Sequence, residues 1–286
     1  MRVGILGASG LIGRYLRTAL ELRGDEVIAA SLRDPQAAAR KTASCDVVVN
    51  LAGEPIAQRW SDAMKHLLVE TRVDLPRRYL EALVGGQRHP AAYVSASAIG
   101  YYGTSVDATF TESSGPGSDF LAKMCAGWEH EASRASALGM RVAIVRTGIA
   151  LATDGGALAQ MLPPFRLGLG GPIGSGKQWI SWIHIADVIG VYLLAIDGAG
   201  GILNATAPIP VTNAQFTREL GRALRRPTFF PTPLFALRAK LGEGAELLLT
   251  GQRVLPERTL SLGFAFAYPS LVEALDALLS PQSERA

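Results

Sequence analysis

Met1-Arg2-Val3-Gly4-Ile5-Leu6-Gly7-Ala8-Ser9-Gly10-Leu11-Ile12-Gly13 runs from an apolar strand through a glycine-rich turn into a helix. Three spaced glycines in that setting answer three steric needs. Gly7 permits the tight turn off the strand, Gly10 lets the backbone approach a pyrophosphate, and Gly13 lets the helix pack close on the sheet. The free N–H groups and positive end of the helix face the phosphates, so Ser9, Leu11 and Ile12 join the glycines as candidate cofactor contacts. The spacing is G-x-x-G-x-x-G, a variant of the dehydrogenase fingerprint G-x-G-x-x-G.

Outward from this stretch, short apolar runs recur at Val27–Ala30, Asp46–Asn50, Ala92–Ser95 and Val142–Arg146. Helical patterns fill the intervals at Leu11–Arg23, roughly Ser61–Leu83 and roughly Asp119–Leu138. Strands of this kind are buried on both faces of a parallel sheet, and the alternation implies right-handed βαβ crossovers. The expected class is α/β: a Rossmann-type doubly wound parallel sheet with a smaller, partly helical C-terminal lobe. Residues 1–150 are read as the dinucleotide-binding domain, with later segments contributing, and 151–286 as the substrate-side lobe. Pro163-Pro164 and the glycines at 168, 170, 171, 174 and 176 mark a loop-rich stretch at the start of that lobe. Beyond it, helix-like patterns cover 185–196, 213–224 and 270–279.

Composition narrows the partners. The 286 residues include 28 Lys and Arg against 25 Asp and Glu, a net charge of +3 with no basic block interleaved with aromatics, which argues against nucleic acid. No apolar run reaches membrane-spanning length, and a strand starting at residue 2 leaves no room for a targeting segment ahead of it. Cys45 and Cys125 form no metal-ligand or redox spacing, so no metal is expected and cytoplasmic residence is the default. A small-molecule substrate and a monomer or homodimer complete the expectation.

The second strand selects the dinucleotide. An acidic residue at its end would bind the ribose 2′-hydroxyl of NAD; here the chain reads Ser31-Leu32-Arg33. The Arg33 guanidinium can pair with a 2′-phosphate, which points to NADP(H), although a single arginine is also commonly a solvated loop cation. Asp34 precedes Pro35, where a helix-starting role is natural.

Further motifs carry a resemblance. With Asn50-Leu51-Ala52-Gly53 after the third strand and Ser95-Ala96-Ser97 after the fourth, the chain resembles the short-chain dehydrogenase/reductase superfamily. Ser97-Ala98-Ile99-Gly100-Tyr101-Tyr102-Gly103, the run Met161 to Gly171, Trp182-Ile183-His184-Ile185-Ala186-Asp187 and Thr250-Gly251-Gln252-Arg253-Val254-Leu255-Pro256 narrow this to the atypical, epimerase-like extended group with its own C-terminal domain. The resemblance implies an oxidoreductase or epimerase on a small molecule, with Leu51, Ala52 and Gly53 against the cofactor.

Superfamily chemistry uses a Tyr and a Lys four residues apart on one helix, with a Ser after the fourth strand. Aligned through Trp128-Glu129, this helix has Leu121 at the tyrosine place and Cys125 at the lysine place, with Ser97 as the retained serine. Leucine transfers no proton, so the candidate catalytic set becomes Ser97, Tyr101, Tyr102 and Cys125. Either tyrosine also fits a packed aromatic, and Cys125 a core thiol, unless nearby cations stabilise its thiolate. Lys123 projects to a different helix face from Cys125 and reads as solvated, Arg146 falls near the cleft, and Glu112 reads as a surface carboxylate. His184 and Asp187 read as core and helix-start residues, and the run Gly170–Lys177 is not a nucleoside-triphosphate loop, because Gln178 follows Lys177. Two other readings stay open: a non-catalytic NADPH-binding sensor or partner-binding protein, which the missing pair favours, and a nucleotide-sugar epimerase, which needs the missing tyrosine.

Overall fold

The structure, a computed structural model, describes residues 1–86 and 88–280. The chain opens with β1 (Arg2–Leu6), α1 (Leu11–Leu22), β2 (Glu26–Ala30), α2 (Pro35–Thr42) and β3 (Val47–Asn50). Next come α3 (Asp62–Val69), α4 (Leu75–Val84), β4 (Ala92–Ala98), β5 (Thr109–Phe110), α5 (Phe120–Ser133) and β6 (Arg141–Thr147). Then follow β7 (Ile149–Leu151), α6 (Gly156–Arg166), β8 (Trp179–Ile180), β9 (Trp182–His184), α7 (Ile185–Ile196) and β10 (Gly201–Ala205). The C-terminal part holds β11 (Val211–Thr212), α8 (Asn213–Leu224), α9 (Leu234–Leu241), α10 (Glu246–Leu249), β12 (Arg253–Val254), α11 (Glu257–Ser261) and α12 (Leu271–Leu279).

Six strands form the main sheet in the order β10-β6-β4-β3-β1-β2, and every pairing in it is parallel. Because β1 pairs β2 on one side and β3 on the other, the winding reverses at β1, and the crevice of the doubly wound sheet opens there. One face is packed by α1 and α7, through Val3, Ile5, Leu16, Val145, Val188 and their neighbours. The other is packed by α2, α4 and α5, through Leu6, Val48, Tyr79, Leu80, Tyr93 and Ile144. A third cluster, Leu158, Phe165, Trp182, Phe216, Leu220 and Leu275, is the core of the C-terminal lobe.

The sheet takes its sixth strand, β10, and the covering helix α7 from beyond residue 150. Two local expectations change. The stretch before Gly168 is not loop but helix α6, which carries Pro163 and Pro164 inside it. The two prolines withdraw two backbone donors, yet Leu158, Leu162 and Phe165 stay buried on one face and hold the turn. Between α3 and α4 the expected single helix carries a π-helical turn, Glu70–Asp74. The Thr250–Pro256 motif ties the lobe back to the sheet: β12 pairs β5, the Gln252 side-chain amide donates to the Ile99 carbonyl (2.9 Å), and Ser105 N donates to the Gly251 carbonyl (2.9 Å).

Candidate functional site

Gly7 stands at the carboxyl end of β1 with φ +87°, a conformation that disfavours any side chain, and its Cβ would lie 2.9 Å from Ala52 N. The turn and the Leu51–Gly53 segment therefore meet backbone to backbone across the switch point. Gly10 caps α1 with no side-chain cap bond, and a Cβ there would meet only the Gly7 carbonyl oxygen, at 3.4 Å. Open space above the free amides of a helix N-terminus is the geometry a pyrophosphate needs. Ser9 and Gly10 are exposed, and Leu11 and Ile12 half-buried, beside that opening. The Gly13 contact differs from expectation. Its Cβ would lie 2.4 Å from the Gly7 carbonyl oxygen and 2.8 Å from Ala8 Cα, so the residue admits the helix to its own turn rather than to the sheet.

At the end of β2, Arg33 is exposed, and its guanidinium has no hydrogen-bond or ion-pair partner among the described residues. Asp34 caps α2, accepting from Ala37 N at 2.9 Å, with Pro35 in the first turn. The neighbouring carboxylate is thereby committed to the helix.

On α5, Leu121 and Cys125 lie beside the loop that follows β4. A Cβ on Gly100 would be 3.4 Å from Leu121 Cβ and 3.8 Å from Cys125 Sγ. Cys125 is 1% exposed, and burial pushes its thiol up to about 12, which leaves essentially no thiolate at neutral pH. It packs with Leu68 and Met124 as a core residue.

Ser97 and Tyr102 belong to a buried polar network. The register sets Ser97, Arg146 and Asn204 side by side on β4, β6 and β10, facing α5. The Glu129 carboxylate, from α5, accepts from Ser97 Oγ (2.6 Å) and, in a two-pronged pair, from Arg146 Nε (2.8 Å) and Nη2 (2.7 Å). Arg146 Nη1 donates to the Tyr102 hydroxyl (2.9 Å), which donates to Asn204 Oδ1 (2.7 Å). Burial raises the Tyr102 phenol to about 12, against the opposing pull of Arg146. Tyr101 lies with its ring centroid 3.4 Å from the Arg146 guanidinium carbon, and no partner for its hydroxyl is found among the described residues.

Glu112 also departs from expectation. It is 9% exposed and accepts from Asn204 N (3.1 Å), Arg258 N (3.1 Å) and Thr259 N (3.3 Å), holding α11 to the sheet edge. A loop position next to Thr111 gave no sign of this, because its partners come from a strand and a helix far along the chain. His184 caps α7, its Nδ1 accepting from Ala186 N (3.1 Å), and stacks on Tyr268 at 3.9 Å. Asp187 accepts from Ala267 N (2.7 Å) and Tyr268 N (3.0 Å). Arg72, which no sequence motif singled out, is buried against Gly53.

The parallel sheet, its glycine cradle at the switch point and the appended lobe define a dinucleotide-binding fold of the extended short-chain dehydrogenase type. Residues 3–205 match the NAD dependent epimerase/dehydratase family, and residues 232–278 match a domain of unknown function, DUF1731. The chain belongs to the NAD dependent epimerase/dehydratase family. It is 38% identical to the human epimerase family protein SDR39U1, covering 98% of this chain and 100% of that one. It is 34% identical to the epimerase family protein YfhF of Bacillus subtilis, covering 98% of each. A crystal structure of human SDR39U1 (isoform 2) with NADPH matches with TM-score 0.89 at 34% identity over the whole of both chains. A nucleoside-diphosphate sugar epimerase from Corynebacterium glutamicum matches with TM-score 0.77 at 33% identity over all of this chain and 60% of that one.

Proposed function

We propose that this chain binds NADP(H) across the carboxyl edge of the sheet and acts as an oxidoreductase on a small molecule held between the Ile99–Tyr102 loop and the C-terminal lobe. The observation that carries the cofactor choice is the end of β2: an exposed, unpartnered Arg33 beside an Asp34 spent on a helix cap. The NADPH in the crystal structure of the human relative supports the same reading. Bound there, the dinucleotide supplies hydride chemistry. The α1 amides hold the pyrophosphate above Gly10, Arg33 pairs with the 2′-phosphate, and Leu51–Gly53 back the ribose. Leu121 and Cys125 move no proton, and the Ser97 and Tyr102 hydroxyls brace Glu129, Arg146 and Asn204. Tyr101 is then the hydroxyl of this loop left free to meet a substrate.

The cofactor reading is tested by titrating the protein with NADPH and NADH. NADPH should bind more tightly, and Arg33→Ala should erase most of the difference. Equal affinities, or an unchanged preference in the variant, would sink it. A second reading, an NADPH-binding sensor without turnover, draws on Leu121 and Cys125 standing where the acid and its lysine would be. Screening carbonyl and enone substrates with NADPH, against Tyr101→Phe, Ser97→Ala and Cys125→Ser, divides the two. Turnover lost in Tyr101→Phe supports the oxidoreductase, whereas silence with tight NADPH binding supports the sensor. Activity on nucleotide sugars would favour epimerisation instead.

A further inference from the structure

We propose that Arg72 takes the place of the absent lysine, its guanidinium donating to the hydroxyls of the nicotinamide-side ribose of NADP(H). This assignment rests on the NADP(H) reading above and adds a cofactor contact that arrives from a different helix. Arg72 lies in the π-helical turn Glu70–Asp74. One extra residue in such a turn shifts the side chains that follow it, and such turns concentrate at functional sites. The turn aims the guanidinium at the crevice floor: a Cβ on Gly53 would be 3.1 Å from Arg72 Cζ and 3.2 Å from Nη2. Gly53 ends the segment that closes the cofactor opening, and the absence of a side chain there leaves the guanidinium room.

The guanidinium also lies beside the vacated lysine position. Arg72 Cζ is 5.4 Å from the Trp128 ring centroid, one helical turn along α5 from Cys125. Replacing a lysine by cysteine removes a long stem and a positive charge; Arg72 restores both from α3's extension. Apart from its place over the Trp128 ring, the charge has no counter-charge among the described residues. Arg72 is 9% exposed, its Nη2 donates to the Glu54 carbonyl at 2.8 Å, and Nη1 reaches the Leu68 carbonyl only at 3.5 Å. Among the described residues it forms no ion pair, and burial pulls its pKa down from the ordinary arginine value. A guanidinium has five N–H donors, and a buried one left without a counter-charge is costly. Ribose hydroxyls at the crevice would take up the remaining donors.

The test compares two probes, NADPH and 2′,5′-ADP, the latter carrying the adenosine half but no nicotinamide ribose. Arg72→Met should weaken NADPH about tenfold to hundredfold, the worth of a charge-assisted hydrogen bond, and leave 2′,5′-ADP unchanged. Arg72→Lys, which keeps the charge, should lose less, and it carries the same comparison if Arg72→Met does not fold. Unchanged NADPH affinity, or equal losses for both probes, would overturn the assignment while leaving the cofactor reading intact. A wild-type protein that binds neither probe would overturn both.

Discussion

Gly13 has no room for a methyl group, since its Cβ would lie 2.4 Å from the Gly7 carbonyl oxygen, whereas the nearest atom to a Cβ on Gly10 is 3.4 Å away. The two glycines therefore fail differently when replaced. Gly10 has φ −69° and ψ 171°, which any residue adopts, so Gly10→Val should fold and melt close to the wild type while losing NADPH, its side chain filling the pyrophosphate space. Gly13→Ala should instead cost about 1–3 kcal/mol of stability, because the obstructing atoms are backbone and cannot rotate away. Thermal unfolding and calorimetric titration of both variants separate the effects. Normal NADPH binding by Gly10→Val would show that the phosphates lie elsewhere. That Gly13 must lack a side chain was legible in the sequence because the need is steric and local, although its own turn and not the sheet is the obstruction. Arg72 was not, since a lone arginine in a helical stretch announces neither burial nor what it faces.

At the level of elements, α7 and α8 match their sequence patterns to the residue, and α1 to within one. Where the pattern misled, a backbone feature overrode it. Pro163-Pro164 reads as a break but rides within α6, and the π turn leaves no trace in a hydrophobic period. The buried network was hidden for a different reason. It depends on lateral register, which sets Ser97, Arg146 and Asn204 in one row, on α5 laying Glu129 against the first two, and on Tyr102 linking Arg146 to Asn204. Sequence spacing on any one element cannot show that. Glu129 ties α5 to β4 and β6, so the energetics of the network are testable as a unit. Glu129→Gln should destabilise the protein by about 3–5 kcal/mol, because Arg146, 1% exposed, is left without its counter-charge. Replacing both, as Glu129→Gln with Arg146→Met, should cost less than the sum of the two single changes. Chemical denaturation of the four proteins closes the cycle, and strictly additive losses would show that the pair is not coupled.

Besides the Thr250–Pro256 tie, the whole molecule is joined where α7, which covers the sheet, meets the segment leading into α12. His184 stacks on Tyr268 there, while Asp187 accepts from the Ala267 and Tyr268 amides. The lobe is thus fastened through the first turn of a sheet-covering helix, and its seating should respond to acid. Burial lowers the His184 imidazole from 6.5 to about 4. Between those values the unfolded chain binds the proton and the folded chain does not, so this contribution is fully present above pH 6.5 and is lost as pH falls. By pH 5 the loss from this one group amounts to about 2 kcal/mol relative to neutrality. Protonation would also take away the Nδ1 lone pair that caps Ala186 N, loosening α7 at the junction itself. His184→Asn preserves a capping acceptor but has nothing to titrate, so its stability should fall less steeply between pH 7 and pH 5, by about the same 2 kcal/mol. Denaturant unfolding of both proteins at the two pH values measures the difference directly. Parallel declines would mean that acid loosens the molecule through groups other than His184.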